Sequence, residues 1–246
     1  VIDGGTNKDQ AEGMESEWGV DEVHLAIVSH RHFDHLGGMD DIINSFTVKQ
    51  YLGITDDCPT NVSDNKVFDA LSAKAVPITP LSSSPTEIVI DQVKFTILPL
   101  PPVRSSCPSK ENLNSVVVRM DYGEFSMLFT GDAEVTELDW LVANHAALLD
   151  VDILKASHHG SNNGLTDEFM GAVIPNKVVI SAGVNARYGH PMANAVDAYE
   201  SAVGASKVYC TNRHGSIRVY GYSAGRSRVY KQIRNNKNCT YDGTHY

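Results

Sequence analysis

His30-Arg31-His32-Phe33-Asp34-His35 places three imidazoles and one carboxylate within six residues, directly after the apolar run Val23, Leu25, Ile27 and Val28. Imidazole and carboxylate are the ligands of Zn²⁺ and similar divalent ions. Packing alone does not account for four such groups in so short a stretch, because each needs a hydrogen-bond partner if buried. On extended chain, alternate side chains share a face. His30 and His32 can then grip one ion while Asp34 and His35 turn toward a second.

Further segments repeat the pattern of an apolar strand that ends in a ligand. Leu128-Phe129-Thr130-Gly131-Asp132 is halted by glycine and delivers Asp132 at its tip. Ile153-Leu154-Lys155-Ala156-Ser157 runs into His158-His159-Gly160-Ser161. Ile180-Ser181-Ala182-Gly183 leads through Asn185, Arg187 and Tyr188 to Gly189-His190-Pro191. Asp3, followed by Gly4 and Gly5, belongs with these. Ligands on strand tips can meet along one sheet edge, where rigid elements hold them.

Between these motifs the patterning alternates strands and helices. Strands are expected over 23–29 and 48–52, a hairpin around Asp91-Gln92, and a second through Tyr122-Gly123-Glu124. Helical spacing marks 134–149, 166–173 with Thr166 as cap, and 194–203. Residues 55–85, rich in Ser, Thr, Pro and Asp, read as a surface excursion with one helix near Phe68 to Lys74. Mostly antiparallel strands with interspersed helices are expected, in one α/β (α+β) domain over 1–246 that ends in a basic C-terminal hairpin region, 213–246. The chain opens on Val1-Ile2-Asp3-Gly4-Gly5 without an initiator Met, as though inside a strand, and upstream residues are expected.

The Asp3-Gly4-Gly5 start, the His30/His32/Asp34/His35 run, the Thr130-Gly131-Asp132 strand end and a late His together resemble the metallo-β-lactamase superfamily. The likeness covers residue 1 to about 220. His158-His159-Gly160-Ser161, Asn114-Ser115 before a valine strand, and Tyr188-Gly189-His190-Pro191 resemble more specifically the C-terminal hydrolase domain of ComEC-type DNA-uptake proteins and their free-standing secreted relatives. Phosphorylcholine esterases are a more distant similarity. The resemblance implies a four-layer αβ/βα sandwich with two divalent ions, zinc or in some members manganese, in a groove at one edge.

Carried over residue by residue, it implies that His30 and His32 hold one metal and Asp34 and His35 the other. Asp132 would bridge ions about 3.5–4 Å apart, and His190 would complete the second. His158 is expected in the inner shell or as proton donor, with His159 behind it. Asp3 would orient a ligand His by a hydrogen bond. Lys155, Asn185, Arg187 and Tyr188 are candidates for contacting substrate. The superfamily usually supplies one more His between the first run and the strand-end Asp. Here none lies between His35 and His145, and Asn114 stands roughly in its place. Either His158 fills that position or the first metal is held more weakly.

The implied function is a hydrolase in which metal-activated hydroxide attacks a phosphodiester, as a nuclease or phosphodiesterase does. A β-lactamase or another ester or amide hydrolase is the alternative, and a non-catalytic binding module a third reading. The carboxylate of Asp132 and the missing His favour phosphoesters over lactams. Net charge is −10, against tight nonspecific binding to a long polyanion. Small or short phosphoesters are thus the expected substrates, with nucleic acid among them. From Arg213 to Tyr241, however, there are seven basic residues and no acid, which leaves 13 basic against 30 acidic residues elsewhere.

The 42% hydrophobic content supports a substantial core, and no apolar run is long enough to span a membrane. Four cysteines, Cys58, Cys107, Cys210 and Cys239, show no CxxC pattern. An even count of that kind fits an exported, disulfide-bonded protein, with three pairings open.

Overall fold

The computed structural model describes residues 1–54, 62–102, 111–183, 188–234 and 238–240, apart from the side chains of Gln10 and Glu111. The chain divides into two compact units, 1–84 with 102–116, and 85–101 with 117–246.

The first unit contains α1 (Asp9–Trp18), β1 (Glu22–Val23), β2 (Ala26–Ile27), α2 (Phe33–Leu36), α3 (Met39–Ser45), β3 (Thr47–Val48), β4 (Tyr51–Leu52), α4 (Val62–Ala73) and β5 (Ile78–Thr79). Among the described residues its strands pair in parallel, β1 with β3, β2 with β4 and β4 with β5. Each expected strand is therefore two short pieces. The 23–29 segment first pairs through β1 and then, at β2, switches to another neighbour. Val23, Ala26 and Val28 are buried with Met39, Ile42 and Ile43 of α3 and with Val67, Ala70 and Leu71 of α4. α4 thus belongs to the core rather than to a surface excursion. Its apolar residues recur at helical spacing, which the polar residues around them obscured.

The second unit holds a seven-stranded sheet. Its strands are β6 (Thr86–Ile90), β7 (Val93–Ile97), β8 (Val118–Tyr122), β9 (Phe125–Phe129), β10 (Ile153–Lys155), β11 (Lys177–Ile180) and β12 (Val208–Cys210). Helices α5 (Val135–His145), α6 (Asp167–Val173) and α7 (Ala193–Val203) connect the last four. β6 to β9 form an antiparallel meander, whereas β9 to β12 are parallel. The mixture corrects the mostly antiparallel expectation: a helix between strands returns the chain to the same end, so each βαβ step must be parallel. α6 is capped as expected, the Phe169 amide donating to Thr166 Oγ1 at 3.1 Å.

Alternation along the strands sorts the two sheet faces. Leu128, Leu154 and Val178 pack with Leu138, Phe169 and Tyr199 of the helices. Met127, Ile153 and Val179 face the other way, onto a hairpin of β13 (Ile217–Gly221) and β14 (Ser227–Lys231). Between β12 and β13 lies the short α8 (Thr211–His214). Cys210 at the end of β12 is disulfide-bonded to Cys239. Cys58 and Cys107 lie outside the described residues.

Candidate metal-binding clusters

In the first unit the chain leaves β2 and turns through Ser29 into the histidine run. Asp3 is brought beside it by its own amide, which donates to Ile27 O at 2.8 Å. The Asp3 carboxylate accepts from the Ser29 amide at 2.7 Å and the Ser29 hydroxyl at 2.9 Å, and lies 2.7 Å from His35 Nδ1. Burial by itself would raise the Asp3 pKa. The hydrogen bond and charge of His35, with the Ser29 amide, outweigh that and hold the carboxyl below its ordinary value. Asp3 has a φ of 59°, a left-handed conformation that costs energy outside glycine.

With Nδ1 of His35 committed to Asp3, its Nε2 is the nitrogen left to bind an ion, an arrangement typical of metal-bound histidines. Asp34 Oδ2 is 3.8 Å from that Nε2. His30 Nε2 and His32 Nδ1 are 3.0 Å apart, and the His30 and His35 rings are 4.1 Å apart. His30 therefore stands against both His32 and His35, with Asp34 beside His35. Val116 N donates to Ser29 O, which brings the chain just after Asn114 against the same turn. Asn114 is buried, and its Oδ1 has no hydrogen-bond partner among the described residues. An orphaned carbonyl oxygen of this kind wants a donor or a cation.

In the second unit Asp132 follows β9 and is 2% exposed. His158 and His159 follow β10, both with positive φ, 46° and 54°. That strain aims two successive imidazoles at one carboxylate. His159 Nε2 lies 3.5 Å from Asp132 Oδ2, and His158 Nε2 3.8 Å. His159 Nδ1 is 2.7 Å from Ser181 O, which makes it a donor and leaves Nε2 with the lone pair. His158 Nδ1 is instead 3.7 Å from Glu134 Oε1. His190 joins them, its ring 5.4 Å from that of His158 and 6.4 Å from that of His159. Tyr188 stands 6.0 Å from His190. Lys155 is turned to the backbone, donating to Gly131 O at 3.1 Å. Asn185 and Arg187 lie outside the described residues.

Sequence reasoning passed over Ser29, Ser181 and Glu134, which act on the imidazoles through backbone and side-chain contacts. It also passed over Arg31, whose side chain is buried with that of Asp64, Nε to Oδ1 3.9 Å. Only the place of Ser29 and Arg31 within the run pointed to them.

Each unit thus carries a cluster of histidine and aspartate with the donor chemistry of a metal site, on the ends of strands, and a metallohydrolase-like protein is the class they define. Residues 1–183 match the metallo-beta-lactamase superfamily, and the chain belongs to that family. Its mixed α/β architecture is the αβ/βα fold of that superfamily. It is similar to ComE operon protein 3 of Bacillus subtilis (strain 168), 29% identical over 213 residues, 86% of this chain and 26% of that one. Competence protein ComA of Neisseria gonorrhoeae is 32% identical over 127 residues, 49% of this chain and 18% of that one. The chain therefore spans about a quarter or less of these relatives. A mutant of the CmlA beta-hydroxylase shares the fold, with a TM-score of 0.51 at 12% identity over 78% of this chain and 43% of that one.

Proposed function

We propose that this chain is a single-domain, metal-dependent phosphodiesterase with a dinuclear centre. The observation that carries the reading is Asp132, a buried carboxylate at a strand tip with His158 and His159 at 3.8 and 3.5 Å. A carboxylate removed from water needs a cation, and here imidazoles provide the accompanying ligands. His30 and His32 would hold one ion and Asp34 and His35 the other, with Asp132 and His190 as further ligands. Zinc suits this donor set best, with manganese as the substitute.

The residues fit such ions through the anchoring of their imidazoles, His35 on Asp3 and His159 on Ser181 O. That anchoring favours His159 as the inner ligand in place of the superfamily's missing His. It leaves His158, beside Glu134, to protonate the leaving oxygen. Asn114 Oδ1 is the remaining group suited to the first ion. When bound, two divalent ions supply a water of lowered pKa and neutralise charge on the phosphoryl oxygens. Tyr188, exposed beside His190, would flank the substrate, and Asn185 and Arg187 are further candidates for contacting it.

An acidic carboxylate set without the additional His favours a phosphoester over a lactam. The Cys210–Cys239 bond favours an extracytoplasmic location. Among the described residues no helix is long and apolar enough to cross a membrane.

The test is hydrolysis of bis-p-nitrophenyl phosphate and of nitrocefin by protein stripped with chelator and reloaded with Zn²⁺ or Mn²⁺. Metal-dependent turnover of the phosphodiester is expected, lost in Asp34→Ala with the fold intact, since Asp34 is exposed. Faster turnover of nitrocefin, or undiminished activity of the variant, would remove the reading.

A further inference from the structure

We propose that the outer face of the β13–β14 hairpin is a docking surface for single-stranded nucleic acid. The strands pair antiparallel, with Arg218 opposite Tyr230, Val219 opposite Val229 and Tyr220 opposite Arg228. Ile217, Val219 and Val229 point inward onto Met127, Ile153 and Val179 of the large sheet. The alternate residues point out: Arg218, Tyr220, Arg228 and Tyr230 are exposed, as are Tyr222 and Arg226 near the turn.

Tyr220, Tyr222 and Tyr230, at 45, 42 and 46% exposure, leave large ring surfaces open to solvent on one small ribbon. They are arranged as a platform. The Tyr220 and Tyr230 rings are 5.4 Å apart and nearly perpendicular, with an arginine directly across from each. Successive outward residues on a strand are about 6.8 Å apart. A ring beside a guanidinium at each step suits an extended strand, whose bases stack while its phosphates pair. The inner side is anchored, since the Glu124 amide donates to Ser223 O at 2.8 Å and Lys177 Nζ to Ser227 Oγ at 2.8 Å. The platform is therefore held to the sheet at its turn and along β14.

Charge favours the same occupant. The 213–241 stretch has seven basic residues and no acid in an otherwise acidic chain. A duplex hides its base faces, so the tyrosine rings would have no base to stack on there. Anchoring in a lipid surface draws on inserted apolar side chains beside interfacial tyrosines, and the described residues of this outer face include no large aliphatic or indole side chain. The inference deepens the phosphodiesterase reading by naming the substrate class, but binding to the hairpin does not depend on hydrolysis.

The experiment is fluorescence anisotropy of a labelled oligothymidylate of about twelve nucleotides with the whole chain in chelator, between about 50 and 200 mM salt. Tyr220→Ala/Tyr230→Ala should weaken binding by about tenfold or more with the salt dependence unchanged. Tyr220→Phe/Tyr230→Phe should bind as the wild type does. Arg218→Gln/Arg228→Gln should weaken binding and lower the slope of log affinity against log salt by about 1.4. None of the three should alter turnover of bis-p-nitrophenyl phosphate. Failure of the wild type to bind the oligonucleotide overturns the inference. So does equal competition by duplex, insensitivity to loss of the rings, or binding confined to phosphatidylserine vesicles. Oligonucleotide binding without any phosphodiester turnover would leave the docking surface standing and remove only the hydrolase.

Discussion

His35 donates from Nδ1 to the carboxylate of Asp3 at 2.7 Å, across 32 residues of sequence. The bond sets which ring nitrogen keeps its lone pair. In Asp3→Asn one acceptor oxygen remains, and the Ser29 amide takes it. The NH₂ then faces Nδ1 and cannot accept from it, and the ring shifts to the tautomer protonated at Nε2. Asparagine tolerates the positive φ of Asp3, so the backbone is spared. Metal affinity should fall about 10- to 100-fold, read by competition with a chromophoric chelator. Affinity equal to wild type would show that His35 needs no such anchor or binds no metal.

Much of this arrangement was legible, because ligand chemistry is local. Imidazoles and carboxylates at the ends of apolar runs announce themselves, and His30, His32, Asp34 and His35 do lie together in the first unit. Asp3 was also readable, as a carboxylate near a ligand His. What escaped depends on pairing between distant segments. Arg31 is enclosed by Asp64 of α4, a helix whose apolar stripe was diluted by polar residues. The choice between His158 and His159 turns on the carbonyl of Ser181 and the side chain of Glu134, which no spacing rule predicts. The parallel direction of β9 to β12 follows from the helix between each pair, whereas their order in the sheet depends on which edge each crossover takes.

The Arg31–Asp64 pair should govern stability more than any exposed ion pair of the chain. Both side chains are almost fully enclosed, at 4 and 3% exposure. Tyr51 lies near them: burial chiefly, and then the charge of Asp64, raise its pKa, while Arg31 lowers it. Removing Asp64 takes a buried carboxylate from beside the guanidinium, at a cost of up to about 3–5 kcal/mol. Asp64→Asn should therefore show a clear drop in thermal midpoint, while Arg31→Met/Asp64→Leu should recover most of it. If the double variant unfolds as readily as the single one, the pair is holding geometry that apolar packing does not replace.

Cys210 and Cys239 close a loop of 29 residues, and Asn212 and Arg213 donate to the carbonyls of Cys239 and Thr240 at 3.1 Å. Loop-closure entropy for that span gives about 3–4 kcal/mol. In Cys210→Ser/Cys239→Ser the urea midpoint should fall accordingly, with the slope of the transition little changed. A loss well under 1 kcal/mol would mean that the two side-chain bonds already hold the segment.

His214 gives the stability a dependence on pH that can be isolated. It is buried, and its Nδ1 accepts from the Cys210 amide at 3.0 Å. Burial chiefly, and then the charge of Lys231, depress its pKa to about 4. In the unfolded chain an imidazole titrates near its ordinary value of about 6.5. Above that pH both states are neutral and the residue contributes nothing pH-dependent. Between about 6.5 and 4 the unfolded chain binds the proton and the folded chain does not, so stability declines as pH falls. His214→Asn keeps an acceptor for the amide and cannot titrate. Urea midpoints measured at steps across this window should drop more steeply for the wild type than for the variant. Parallel declines would place the acid sensitivity in other groups.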